Sequence, residues 1–177
     1  MRRVNVMVGR FQPLTNGHLK CIEEAWNVLG VPTVICMVNT KDEKVDERKP
    51  FPSSLLKPMY EEFAKTEHIV SIELVINADI FKIGTMLKEK GIEICSWTCG
   101  TDRYDSYSQM AEKYHDQAYL SEDFKMIEVQ RSDDDISATI VRDSIYKNNL
   151  ETFLKMTPFD KPEFNILRNQ LLNVINK

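Results

Sequence analysis

Short apolar runs of strand type alternate with longer stretches of helical spacing along the chain. That alternation limits the fold to an open parallel sheet with crossover helices. Val4, Val6 and Val8 alternate with polar or flexible residues and form a first strand. Residues 31–38 are almost continuously apolar, as in a strand covered on both faces. Residues 69–76, 92–98 and 124–129 supply three more strands, five in all. The segments between them carry the helical period. From about Thr15, Leu19, Ile22, Ala25, Trp26 and Leu29 share one face. A second helix starts at Ser53 or Ser54 and turns Leu55, Leu56, Met59, Tyr60 and Phe63 inward; Pro58 is expected in its first turn, where a missing N–H is tolerated. A third spans residues 80–90 and is ended by Gly91. Right-handed crossovers fix the winding, and ligands of such sheets sit outside the strand carboxyl ends, at the switch point. The expected fold class is α/β: five parallel strands with helices on both faces, in one domain over residues 1–157. An amphipathic helix follows in residues 158–177, with Phe164, Leu167, Leu171, Val174 and Ile175 at helical spacing. It is expected to pack back on the same domain, with a subunit contact in a homo-oligomer as the alternative.

The link between the first strand and first helix, Gly9-Arg10-Phe11-Gln12-Pro13-Leu14-Thr15-Asn16-Gly17-His18, carries chemistry. Gly9 allows close approach of backbone to a ligand. The helix that follows opens with Thr15, Asn16, Gly17 and His18, so free N–H groups and the positive dipole end can receive a phosphate. Arg10 and His18 add cationic or hydrogen-bonding side chains. Near the far end, Ile136-Ser137-Ala138-Thr139-Ile140-Val141-Arg142 follows three aspartates. Ser137 is a good N-cap for a helix continued by Ile140, Val141, Ile145 and Tyr146. Arg142, one turn in, makes this a second anion-binding arrangement.

The two segments together resemble the signature of the nucleotidyltransferase superfamily related to class I aminoacyl-tRNA synthetases. That signature has a (His/Thr)-x-Gly-His motif near the start and an Ile-Ser-Ser/Thr-x-x-x-Arg motif near the end. Thr15 to His18 fit the first, with Thr15 where histidine is common and typical of pantetheine-phosphate adenylyltransferases. Ile136 to Arg142 fit the second, with Ala138 in place of the usual hydroxyl residue. Gly9 to Pro13 match the opening of archaeal and phage-type nicotinamide-mononucleotide adenylyltransferases, and Arg48-Lys49-Pro50-Phe51 matches their Arg-x-Pro-Phe element. Their nicotinamide-stacking tryptophan has no clear counterpart; the nearest stretch is residues 79–82.

The resemblance implies a Rossmann-like fold and transfer of AMP from ATP to a small acceptor bearing a phosphate, with nicotinamide mononucleotide preferred and NAD and pyrophosphate as products. Transfer to pantetheine phosphate, a CTP-dependent reaction, and a nucleotide-binding regulator without turnover are the alternatives. His18 would stabilise the α- and β-phosphates, assisted by Thr15 and Arg10. Ser137, Thr139 and Arg142 would hold the departing end. Gly9, Arg10, Phe11 and Gly17 would frame the nucleotide with backbone, Arg48 with Lys49 would face phosphates, and Gly100 with Asp102 would read the base. Arg103 could also reach a phosphate, and Thr101 or Asp102 could simply cap the next helix. Mg²⁺ is implied as a companion of the triphosphate.

Composition narrows the partners. A net charge of −4 argues against a nucleic-acid binder, whose footprint is basic. No apolar run approaches the ~20 residues of a membrane span, and Arg2-Arg3 precede too short an apolar stretch for a signal peptide, so a cytoplasmic setting is expected. Cys21, Cys36, Cys95 and Cys99 lack a metal-ligand spacing with histidine and read as buried free thiols. His68 and His115 read as surface groups, Trp26 and Trp97 as core.

Overall fold

The computed structural model describes residues 1–39, 44–65, 68–130 and 138–176. In chain order the elements are β1 (Arg2–Gly9), α1 (Asn16–Leu29), β2 (Thr33–Val38), α2 (Ser53–Ala64), β3 (Ile69–Val75), α3 (Ile80–Glu89) and β4 (Ile92–Gly100). They are followed by α4 (Thr101–Lys113), β5 (Leu120–Val129), α5 (Ala138–Tyr146), α6 (Leu150–Met156) and α7 (Lys161–Ile175). The five strands form one sheet in the order β3-β2-β1-β4-β5, and every pairing is parallel. The expected α/β class is therefore observed: a Rossmann-like sheet with helices on both sides.

Side-chain alternation splits the interior into two cores, because successive strand residues face opposite sides. Met7, Ile35 and Met37 join Ile22, Leu56, Tyr60, Val141, Phe153 and Leu167 on one face. Val4, Val6, Val34 and Cys36 join Ile83, Leu87, Trp97 and Tyr107 on the other. Thus α1, α2, α5, α6 and α7 cover one side of the sheet, and α3 and α4 the other. On α7, Phe164, Leu167 and Leu171 are buried in the first core.

Chain order reverses between β1 and β4, and a fully buried polar knot sits there. Asn5 donates from Nδ2 to Thr33 Oγ1 at 3.1 Å. Its Oδ1 accepts from Ser96 Oγ at 2.8 Å and Thr98 Oγ1 at 2.9 Å. Three strands are tied at one residue, with both the nitrogen and the oxygen of the buried amide hydrogen-bonded. The register shift between β1 and β4 falls at Val4/Asn5, where this knot is made.

Four details differ from the sequence reading. Pro58 is the sixth residue of α2, past the first turn, because Pro52 is the N-cap and the helix begins at Ser53. Proline at position 58 removes the N–H that the carbonyl of exposed Ser54 would otherwise accept from within the helix. Trp26 is not core: it is 37% exposed and stacks on His68, with ring centroids 3.9 Å apart and planes 8° apart. The apolar stripe of α1 narrows to Ile22 and Ala25, leaving Trp26 at its margin. Finally, β5 begins at Leu120 rather than Phe124, and α6 occupies a stretch that the periodicity left unassigned.

Candidate active site

A cavity of about 1020 Å³ opens at the carboxyl ends of β1 and β4, the place where a doubly wound sheet binds ligands. Gly9, the last residue of β1, forms part of its wall. A Cβ there would lie 3.2 Å from the ring tip of Phe11, so glycine lets the turn close. Phe11 itself is only 3% exposed and has φ 50°, a left-handed conformation that costs a non-glycine residue about 1–2 kcal/mol. Tyr60, fully buried on α2, holds that bend: its hydroxyl donates to the Phe11 carbonyl at 2.6 Å and accepts from the Leu14 N–H at 2.8 Å. The Gln12–Pro13 peptide is cis.

The bend delivers Thr15 as N-cap of α1. Its backbone N–H donates to Nδ1 of His18 at 2.9 Å, and its hydroxyl lies 3.2 Å from the same nitrogen. With Nδ1 accepting, the proton of the neutral ring belongs on Nε2. The imidazole packs edge-on against Phe11, centroids 4.8 Å apart. Gly17 and His18 face the cavity from the first turn of α1, where N–H groups lack helical partners. Asn16 ties the same turn to α6 through the Lys155 carbonyl at 2.9 Å.

A second helix start faces the same space. Gly100 is the N-cap of α4, with no side chain capping it. Neither Thr101 nor Asp102 caps the helix, contrary to the simple capping expectation, because α4 begins at Thr101 itself. Gly100, Asp102 and Arg103 all line the cavity.

Besides Arg103 on α4, three arginines converge from three further segments. Arg10 follows β1, Arg48 stands on the β2–α2 loop and Arg142 on α5, and all line the cavity. Arg142 donates from Nη1 to the Gln12 carbonyl at 2.7 Å and from Nη2 to Thr139 Oγ1 at 3.3 Å. Burial and then the like charge of Arg10 pull its pKa below the usual guanidinium value, with Asp46 opposing. Concentrating positive charge in this way, on a chain of net charge −4, leaves a site that an anion would relieve.

Of the residues read from sequence, Gly9, Arg10, Phe11, Thr15, Gly17, His18, Arg48, Gly100, Asp102, Thr139 and Arg142 stand together on this one wall. Ser137 lies outside the described residues. Lys49, read as a partner of Arg48, is buried at 9% exposure and is not on the wall. Sequence reasoning passed over Lys20 and Tyr107, which also line the cavity. Lys20 follows Gly17 by three positions on α1, so helical spacing alone would have placed it on the same face. Cys36, Cys95 and Cys99 are buried as expected, whereas Cys21 is only half-buried on the wall; burial pushes Cys99, also on the wall, up to about 11 and Cys36 up to about 12.

The chain belongs to the cytidylyltransferase-like family, whose model matches residues 6–144. Family and fold are those of a nucleotidyltransferase. Among curated proteins, no sequence matches the chain. Among solved structures, Plasmodium falciparum nicotinic acid mononucleotide adenylyltransferase complexed with NaAD is similar at TM-score 0.60 and 11% identity, over 98% of this chain and 96% of that one. The same enzyme complexed with APC gives TM-score 0.59 at 11% identity, over 98% and 96%. Thermotoga maritima TmcAL bound with α-thio ATP gives TM-score 0.59 at 12% identity, over 98% of this chain and 56% of that one. The chain thus spans little more than half the length of TmcAL. At such identities the likeness is one of fold. Among the described residues, no helix is long and apolar enough to cross a membrane.

Proposed function

We propose that the chain is an adenylyltransferase that moves AMP from ATP to a phosphate-bearing acceptor, with nicotinamide mononucleotide preferred. The observation that carries this reading is the convergence of His18 and Arg142, far apart in sequence, on one cavity with two open helix starts. A phosphate oxygen of the acceptor attacks the α-phosphorus of ATP, the bond to the bridging oxygen breaks, and pyrophosphate leaves with that electron pair. The protein has no covalent step to perform; it aligns the two phosphates and neutralises the growing charge. His18, holding its proton on Nε2, donates to a non-bridging oxygen, while Thr15 fixes the ring. Arg142 with Thr139, Arg10 and Arg48 attract the β- and γ-phosphates. Gly100 and Asp102 face the base and ribose. Mg²⁺ would travel on the triphosphate and supply further charge neutralisation: Asp102 is the carboxylate on the described wall, and the described residues gather no group of three ligating side chains.

A second reading, with CTP as donor, draws on the family description, and transfer to pantetheine phosphate draws on Thr15. A thermal-shift screen with ATP, CTP, nicotinamide mononucleotide and phosphopantetheine, followed by a pyrophosphate-release assay on each pair, separates these readings. The preferred one requires stabilisation by ATP and pyrophosphate release with nicotinamide mononucleotide. Stabilisation by ATP with no release for any acceptor would make the chain a nucleotide-binding regulator instead.

A further inference from the structure

Arg48 stands exposed on an irregular loop, yet its side chain lines the cavity. An arginine on a free loop loses much of its interaction energy to the cost of ordering. Here the backbone is fastened on both sides of it. Before it, Asp46 Oδ1 accepts from the N–H of Arg48 at 2.8 Å and of Lys49 at 2.9 Å, and Asp46 and Lys49 exchange two backbone bonds of 3.2 Å. After it, the fully buried Phe51 donates its N–H to Gln12 Oε1 at 3.0 Å. The Phe51 carbonyl in turn accepts from Gln12 Nε2 at 2.8 Å.

Gln12 is 3% exposed and sits two residues past Arg10. Its own carbonyl is the acceptor for Arg142. One residue therefore touches the segments that bear three of the four arginines on the wall, Arg10, Arg48 and Arg142. An amide suits this place because it offers a donor and an acceptor in one plane, matching the two groups of a peptide unit. A carboxylate would face the Phe51 carbonyl with like charge, and an apolar side chain would leave both buried groups unpaired.

We propose that Gln12 and Asp46 are positioning residues, Gln12 acting as a strut and Asp46 as a tether, that together aim Arg48 at the phosphates of the nucleotide. This rests on the reading of the cavity as a triphosphate site. Neither residue needs to touch the ligand; both act through Arg48.

Calorimetric titration of the full chain with ATP tests it, using Arg48→Ala, Gln12→Met, Asp46→Ala, Asp46→Asn and the combinations with Arg48→Ala. Gln12→Met and Asp46→Ala should each weaken ATP binding about tenfold. In the Arg48→Ala background the same changes should cost less than about twofold, because nothing remains to be aimed. Asp46→Asn, which keeps the oxygen acceptor and loses the charge, should bind as well as the natural chain. Asp46 is exposed, so its variants fold even if Gln12→Met does not. Full additivity with Arg48→Ala, an unaltered affinity in Asp46→Ala, or an Asp46→Asn as weak as Asp46→Ala would each overturn the positioning role. A natural chain that binds no ATP sinks the triphosphate reading itself, and this proposal with it. Unaltered ATP binding in Arg48→Ala leaves that reading standing and overturns only the strut and tether.

Discussion

The backbone N–H of Thr15 points at Nδ1 of His18, 2.9 Å away, so the first turn of α1 makes Nδ1 the accepting nitrogen and assigns the neutral ring's proton to Nε2. A helix start spends one of its unpaired donors on its own third residue, and in doing so sets the tautomer of a ring that lines the cavity. Nitrogen-15 NMR on labelled histidine should find His18 with its proton on Nε2 in the free protein. A ring protonated on Nδ1 would be incompatible with this bond.

Tyr60 supports the same loop from behind. Tyr60→Phe removes one hydroxyl and strands the Phe11 carbonyl and the Leu14 N–H, both of which it serves. The loss should be about 1–3 kcal/mol in denaturant unfolding, the cost of unpaired buried groups. Because those groups shape the turn that delivers His18, ATP affinity should fall as well. Unchanged stability would mean that the bend is held by something other than this hydroxyl.

Gly84, on the inner face of α3, meets the chain where it enters β5. A Cβ there would stand 2.1 Å from the Ala118 carbonyl oxygen, and the obstacle is backbone rather than a movable side chain. Gly84→Ala should therefore destabilise the fold in denaturant unfolding despite alanine's better helix propensity, by about 1–3 kcal/mol or more. A stabilised variant would show that α3 stands further from this segment.

His115 gives the clearest pH signature. Its Nδ1 lies 3.1 Å from Asp116 Oδ1 and its Nε2 lies 2.9 Å from the Ser121 carbonyl, so only the doubly protonated ring donates to both. The Asp116 side chain raises its pKa above the ordinary 6.5; burial, the next largest effect, opposes this, and the Ser121 carbonyl adds a smaller upward push. A group with a raised folded pKa stabilises the fold fully below its unfolded value and loses that contribution as pH rises through the folded one. The melting temperature of the natural chain minus that of His115→Gln should thus be larger at pH about 5 than at pH about 9. The opposite slope would contradict the assignment.

What the sequence discloses and what it hides divide along physical lines. Strand and helix periodicity placed five strands and the main helices, because Val34, Ile35, Cys36 and Met37 read as buried on both faces and are. The glycine turn before α1 and the arginine on α5 could each be read locally, and geometry brings both to one cavity. Long-range polar pairings left no such trace: nothing in the pattern links Gln12 to Phe51, Tyr60 to Phe11, or Asn5 to Ser96. Apolar stripes also have margins that spacing cannot resolve, which is why Trp26 lies against His68 at the surface while Trp97 is fully buried. Lys49 beside Arg48 shows the same limit in a loop, where adjacent side chains go to different places.

The most direct measurement is pyrophosphate release from ATP in the presence of nicotinamide mononucleotide, comparing the natural chain with His18→Ala. The account predicts release by the natural chain and a drop of about 100-fold or more in the variant, with its circular dichroism and melting temperature close to the natural ones. A folded His18→Ala protein that turns over at the natural rate would contradict it.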